Sequence, residues 1–322
     1  MELTPDFSVI INGQMNFTKD RVISIRTTDE AGIVSDSCEI ELDDFDDALQ
    51  MPNTEAKVEV ALGYKESGLT KIGTYFVKEI AIDGAQKVIR VKCNAVPKSM
   101  RSQKTKNNSG ELYKILSNIT SETGFSPAIS TSLHNVNLID GIQFAESDIS
   151  YITRISRKLG AIAKPVSEHL VVAEDGTGKS ISGKTLPTKY IDAEDVPNYS
   201  CHFRETESGN SAGTVYANWY DKNSGEYHLE KVGSGDPETE LQEIFTTQDQ
   251  ALTAAKAKLK RTYKTNKSFS FSTYGRPDLF AETPIVLRGF SKKIPINWIV
   301  QRVEHSLNTS GFKTNVECYQ GG

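Results

Sequence analysis

The chain has 322 residues with a formal net charge of -5, enough length for more than one domain of ordinary size, each with its own core. A pI near 5.7 excludes a protein whose main work is gripping nucleic acid through phosphates, which calls for a basic patch. No apolar run approaches the roughly 18 residues of a membrane helix, and the start MELTPDFSVIING lacks the basic and apolar blocks of a signal peptide. The expectation is a protein made in the cytoplasm, without membrane insertion.

From Phe7 to about Ala95 the pattern is one of successive strands: SVIINGQMNF, VISIRTT, CEIEL, KVEVALGY, TYFVKEIAI and KVIRVKCNA. In CEIEL and its flanks Cys38, Ile40 and Leu42 share one face, while Ser37, Glu39, Glu41 and Asp43 share the other, so this strand covers a core on one side only. Asp29, Glu30, Ala31 and Gly32 supply a polar turn before it, with Gly32 free to take positive φ. So many short strands predict an antiparallel barrel, since closure removes exposed edges. We assign residues 1–96 to this first β-barrel domain.

After Pro97 the run KSMRSQKTKNNSG is basic and aperiodic and reads as a linker or exposed loop. A helix follows, with Asn108 as N-cap, Glu111 as its capping-box partner and a stripe of Leu112, Ile115, Leu116 and Ile119, ending at Gly124. A second helix starts at Ser147 and carries Ile149, Ile152, Ile155 and Leu159 inward to Gly160, with Arg154, Arg157 and Lys158 near its C-terminal end. AIAKPVSEHLVVAEDG then reads as a hairpin, giving a small α+β domain over residues 97–190. Residues 191–322 return to strands and form a second β-barrel domain with one inserted helix, TTQDQALTAAKAKLKRTY, capped by Thr247 and Gln250 and buried along Leu252, Ala255 and Leu259. The fold class is therefore mainly β, α+β overall.

The last part lies over the first. VEVALGY (Val58 to Tyr64) matches PIVLRGF (Pro284 to Phe290); Tyr75, Phe76, Val77 and Ile80 match Trp298, Ile299, Val300 and Val303; Val91 and Cys93 match Val316 and Cys318. This internal repeat predicts two similar barrels in one chain.

Motifs for chemistry are sparse. GTGKS at Gly176 to Ser180 has Ala173 where a phosphate-binding loop needs its first Gly, and the following ISGKTLP is not helical, so it reads as a hairpin tip. The acidic run Asp43, Asp44, Asp46 and Asp47 lacks calcium-loop spacing. His134, His169, His202, His228 and His305 are scattered, and none neighbours a G-x-S-x-G nucleophile. Cys38, Cys93 and Cys318 alternate with apolar neighbours and, with Cys201, show no zinc spacing. The two basic patches, Lys98 to Lys106 and Arg154 to Lys158, read as solvated surface and lack interleaved aromatics. We therefore expect no catalytic, metal or cofactor-binding residues, and no enzyme.

Several of these pieces, in this order, resemble the phage late control gene D family: the N-terminal hairpin Arg21 to Asp44 with Pro52 and VEVALGY after it, GTYFVKEIAIDG, ESDISYITRISRKLGA, GRPDLFAETPIVLRGF and WIVQRVEHSLNTSGFKTNVECY. The resemblance spans nearly the whole chain. It implies a structural hub at the centre of a contractile phage or prophage baseplate. Such a hub is a homotrimer whose six barrels join a sixfold tail tube to a threefold spike, with DNA passing through the bore unheld. A tailocin or type VI-like secretion device would share that fold, and a cell-wall hydrolase is the remaining alternative.

Overall fold

In a computed structural model, the structure describes residues 3–13, 18–32, 35–138, 141–203 and 213–320, and of residues 263–266 the backbone alone. The first strand group is β1 (Pro5–Ile11), β2 (Val22–Glu30), β3 (Ser37–Asp43), β4 (Lys57–Tyr64), β5 (Gly68–Asp83) and β6 (Val88–Asn94). The expected extension of the first strand to Phe17 lies outside the described residues. All six strands feed one core: Val9, Ile25, Ile40, Val60, Val77 and Val91 are each at most 1% exposed. The alternation seen in the sequence is realised, with Cys38, Ile40 and Leu42 buried and Glu41 turned outward to Ser24 and Arg90. Cys38 and Cys93 stand opposite each other across β3 and β6 as free thiols, each pushed up by burial, the latter to about 12.

The basic run after Pro97 is not a linker. It forms a short helix, α1 (Lys98–Arg101), and a strand, β7 (Gln103–Asn107), because Lys104 and Lys106 find carboxylates across the fold at Glu122 and Asp148. A two-residue strand β8 (Gly110–Glu111) leads into α2 (Leu112–Ser121), whose N-cap position is Glu111 rather than Asn108, so the expected capping box does not form. Its stripe of Leu112, Ile115, Leu116 and Ile119 is buried as the spacing requires. After β9 (Ser126–Ile129), β10 (Asn137–Leu138) and β11 (Ile142–Ser147) comes α3 (Asp148–Lys158), where the Ser147 side chain accepts from the Ser150 amide. The predicted hairpin follows as β12 (Ala161–Val166) and β13 (His169–Glu174), turning on Ser167 and Glu168, both at positive φ. A second core, built from α2, α3, β12 and β13, lies between these elements.

The rest is β14 (Lys189–Asp192), β15 (Asn198–Phe203), β16 (Gly213–Asp221), β17 (Glu226–Ser234), β18 (Glu238–Phe245), α4 (Gln248–Asn266), β19 (Lys267–Tyr274), β20 (Pro284–Arg288), β21 (Asn297–Asn308) and β22 (Gly311–Tyr319). Trp298, Phe269, Phe271, Val300 and Val316 make a third core. The sheet β17-β16-β18 and α4 enclose a fourth, through Ala251, Ala254 and the expected Ala255, with the expected Leu259 partly buried against it. Leu252 is half-buried and lies outside this core, where small residues let the helix approach the sheet closely.

The repeat is visible in topology. The first half orders its strands β1-β4-β5-β6-β3-β2, and the second β14-β20-β21-β22-β19-β15. Each half carries a bulge at the matching place, between Val77 and Glu79 on β5 and between Val300 and Arg302 on β21. One difference stands out: β1 is antiparallel to β4, whereas β14 is parallel to β20. The halves are also not separate sheets. β2 pairs with β21 from Ser24 against Asn308 to Glu30 against Arg302, so the strands of both join in one 12-stranded sheet.

Candidate functional site: the seam between the halves and two open edges

The side chains singled out in the sequence do not gather into a reaction centre. Asp46 forms a bidentate pair with Arg21, which draws its carboxyl down to about 2, while Asp44 caps the Leu49 amide and Asp47 meets Lys87. These carboxylates close a turn. His134 stacks on Tyr113, His228 stacks on Trp219, and His202 lies exposed on β15. In the Gly176 to Ser180 loop the Gly176 amide donates to Glu282, and Ser180 bonds back to Lys184, leaving a turn with no helix after it. In the second basic patch Arg154 pairs with Glu146 and Lys158 with Glu243. Among the described residues, no group of three or more His, Cys, Asp or Glu side chains is placed to hold a metal ion. No described helix is long and apolar enough to cross a membrane.

What the fold does bring together is the seam. Asp29, on β2, accepts from Lys164 Nζ of β12 at 2.5 Å and from the Ala281 amide of the second half at 2.8 Å. One carboxylate thus ties all three parts of the chain. Lys164 also reaches Asp36 at 3.1 Å, and all three side chains are only 13–14% exposed. Burial works against charge in each of them, but the two carboxylates outweigh it for Lys164 and hold its pKa above the ordinary value, and Lys164 in turn holds Asp29 below it. Asp36 loses that contest: burial, reinforced by the Asp29 charge, pushes it up to about 7. None of this was legible from the sequence, where Asp29 reads as a turn residue and Lys164 as the polar side of a hairpin.

His305 sits opposite Thr27 on the seam, 1% exposed, with Nδ1 3.0 Å from the Thr314 hydroxyl. Burial lowers it to about 4 from 6.5. The unfolded chain takes up a proton near the ordinary value and the folded chain does not, so the stability His305 contributes is present above pH 6.5 and is lost as the pH falls towards 4. Urea midpoints measured from pH 7 to pH 4 are expected to fall more steeply in the wild type than in His305→Gln; parallel curves would contradict a buried neutral imidazole.

Among the described residues, two of the unpaired sheet edges are that of β5 from Lys78 to Asp83, where it pairs with β6 alone, and that of β15, which pairs only with β19. Exposed apolar side chains sit on both: Ile82 is 61% exposed and Phe203 54%. Unpaired edges carrying apolar side chains are sites for further strand pairing.

No family model matches the sequence. The chain is 26% identical to the probable baseplate hub protein of Escherichia phage 186, over 98% of this chain and 92% of that protein. It is also 26% identical to the probable baseplate hub protein of Escherichia phage P2, over 98% and 93%. In fold it is similar to a tail protein of Neisseria meningitidis MC58 (TM-score 0.73, 12% identity, 99% of this chain and 97% of that one). The 43 kDa tail protein of prophage MuSo2 from Shewanella oneidensis is also similar (TM-score 0.70, 11% identity, 99% of each). The resemblance carried by the sequence motifs thus extends over the whole chain, which is a relative of the phage baseplate hub proteins in sequence and of phage tail proteins in fold.

Proposed function

We propose that this chain is the structural hub of a phage or prophage-derived tail baseplate, working as a closed homotrimer between the tail tube and the spike, and not as an enzyme. The observation that carries this reading is its near full-length correspondence with two probable baseplate hub proteins. The internal repeat supports the geometry. Two like halves per chain, three chains around an axis, present six similar units with threefold exact symmetry, which suits a joint between a sixfold tube and a threefold spike. The continuous sheet across the seam supports a mechanical role, because force passing between the halves loads a row of backbone hydrogen bonds rather than a flexible linker.

A hub in a type VI-like secretion device is the second reading, favoured by fold similarity to an Escherichia coli component of the type VI secretion system (TM-score 0.58, 11% identity, 98% of this chain and 77% of that one). Both readings predict the same first measurement. Light scattering on the protein alone and mixed with the adjacent spike gene product is expected to give three times the 35.5 kDa chain mass. A monomer in both conditions overturns the hub reading. Loss of turbidity from purified cell wall incubated with the protein would overturn the non-enzymatic part.

A further inference from the structure

We propose that the cavity where the end of α3, the C-terminal half of α4 and β12 meet binds a small phosphoryl-type oxyanion, phosphate or diphosphate, between the guanidinium groups of Arg157 and Arg261. The site joins the middle region to the second half and is independent of the hub reading.

The cavity has a volume of about 220 Å³. Pockets for larger organic ligands run to roughly 300–1,000 Å³, so this one suits a small ion. Arg157 of α3 and Lys260 and Arg261 of α4 line it, and Asp175 is the one acidic lining residue among the described residues. Three positive side chains thus share one space in a chain whose net charge is -5. Small buried residues also line it: Ala161 and Ala163 of β12 and Ala257 of α4, each at most 5% exposed. Against such apolar, water-poor surface, charge interactions are screened less than in open solvent. Gly160 is what keeps the two helices close, since it takes φ +67° and a Cβ there would lie 3.3 Å from the Ala257 Cβ.

What the two arginines lack is a partner. Other arginines of the chain take carboxylates: Arg154, one turn before Arg157, pairs with Glu146, Arg101 with Glu55 and Arg276 with Asp278. Among the described residues, neither the Arg157 nor the Arg261 side chain makes a hydrogen bond or ion pair. Burial lowers the Arg261 pKa, the Arg157 charge lowers it further, and the Asp175 charge offsets only part of this. The two guanidinium groups therefore repel across the cavity. An oxyanion between them would accept from both forks, with Lys260 alongside, and would turn the repulsion into a clamp between α3 and α4. A phosphoryl group presents several oxygens to two planar forks, which chloride cannot do. Thr153 and Arg157 also line the open groove that holds Arg154, so the ion has a way in from solvent.

The test titrates pyrophosphate, and inorganic phosphate beside it, into the full-length protein by isothermal calorimetry and thermal melting, with sodium chloride at matched ionic strength as the reference. One ion per chain is expected, and saturation should raise Tm by about 2 °C or more above the chloride reference. Arg157→Gln and Arg261→Gln should each weaken binding at least tenfold. Without the ion, Arg157→Gln should melt no lower than the wild type, because it removes a repulsion at an exposed position. Lys256→Gln takes one positive charge from an exposed position of the same helix outside the cavity, and it should bind as the wild type does. A melting shift that sodium chloride reproduces, an absence of saturable binding, or equal binding in the wild type and both arginine variants overturns the site.

Discussion

Replacing Lys164 by Met is expected to destabilise the protein by about 3 kcal/mol or more, the usual consequence of stranding buried carboxylates by removing their partner. Lys164 lies between Asp29 and Asp36, at 2.5 and 3.1 Å, with little access to water for any of the three. Met keeps the stem and removes the charge, so the loss is electrostatic rather than a cavity. The penalty has a sign in pH. Without Lys164 both carboxylates lose the charge that holds them down and bind protons more tightly, Asp36 first because burial already pushes it up to about 7 beside the lysine, so acid relieves the variant and a rising pH works against it. The difference in melting temperature between wild type and Lys164→Met is therefore expected to be larger at pH 8 than at pH 5. The triple variant Lys164→Met/Asp29→Asn/Asp36→Asn should recover most of the loss, because no buried charge remains. Equal penalties at both pH values would show that the three groups do not act as a charged cluster.

Phe312→Ala is expected to cost about 3–5 kcal/mol, the range for deleting a buried aromatic side chain. Phe312 belongs to β22 of the second half, yet it is 5% exposed within the core of the first. It packs against Tyr64 with ring centroids 5.6 Å apart and against His305 at 5.9 Å. Beside it the Tyr64 hydroxyl donates to the Gly275 carbonyl at 3.1 Å, and the Gly275 amide donates to the Phe312 carbonyl at 2.8 Å. A Cβ on Gly275 would lie 2.0 Å from the Phe312 ring, so glycine is what lets this strand end approach. Since the cavity would open where the halves meet, chemical unfolding of Phe312→Ala is expected to weaken both together, as one transition shifted to lower urea. Ile296→Ala, 60% exposed, should move the midpoint by no more than about 0.5 kcal/mol. Loss of the first half's signal alone, with the second unchanged, would mean that the seam does not couple them.

Sequence alone determined the strands of the first half, the two helix faces of the middle region and the repeat, because each is written in local periodicity. Cys38, Ile40 and Leu42 alternate with acidic residues, and a strand with that pattern has one possible buried face. The matches of Tyr75 to Trp298 and Cys93 to Cys318 survive in the sheet register for the same reason. The match of β4 to β20 sits one residue away from the sequence alignment: Lys57, not Val58, holds the place of Pro284, each facing the matching residue of the next strand, Phe76 or Ile299. Only the tertiary structure decided which edges meet. Nothing in VISIRTTDE says that its outer edge belongs to WIVQRVEHSLN, more than 250 residues later, since backbone hydrogen bonds are alike for every strand. Nor could the sequence show that Lys104 and Lys106 would be neutralised, or that Lys164, Asp29 and His305 would be buried. A charged residue on the polar phase of a strand looks solvated until another part of the chain covers it.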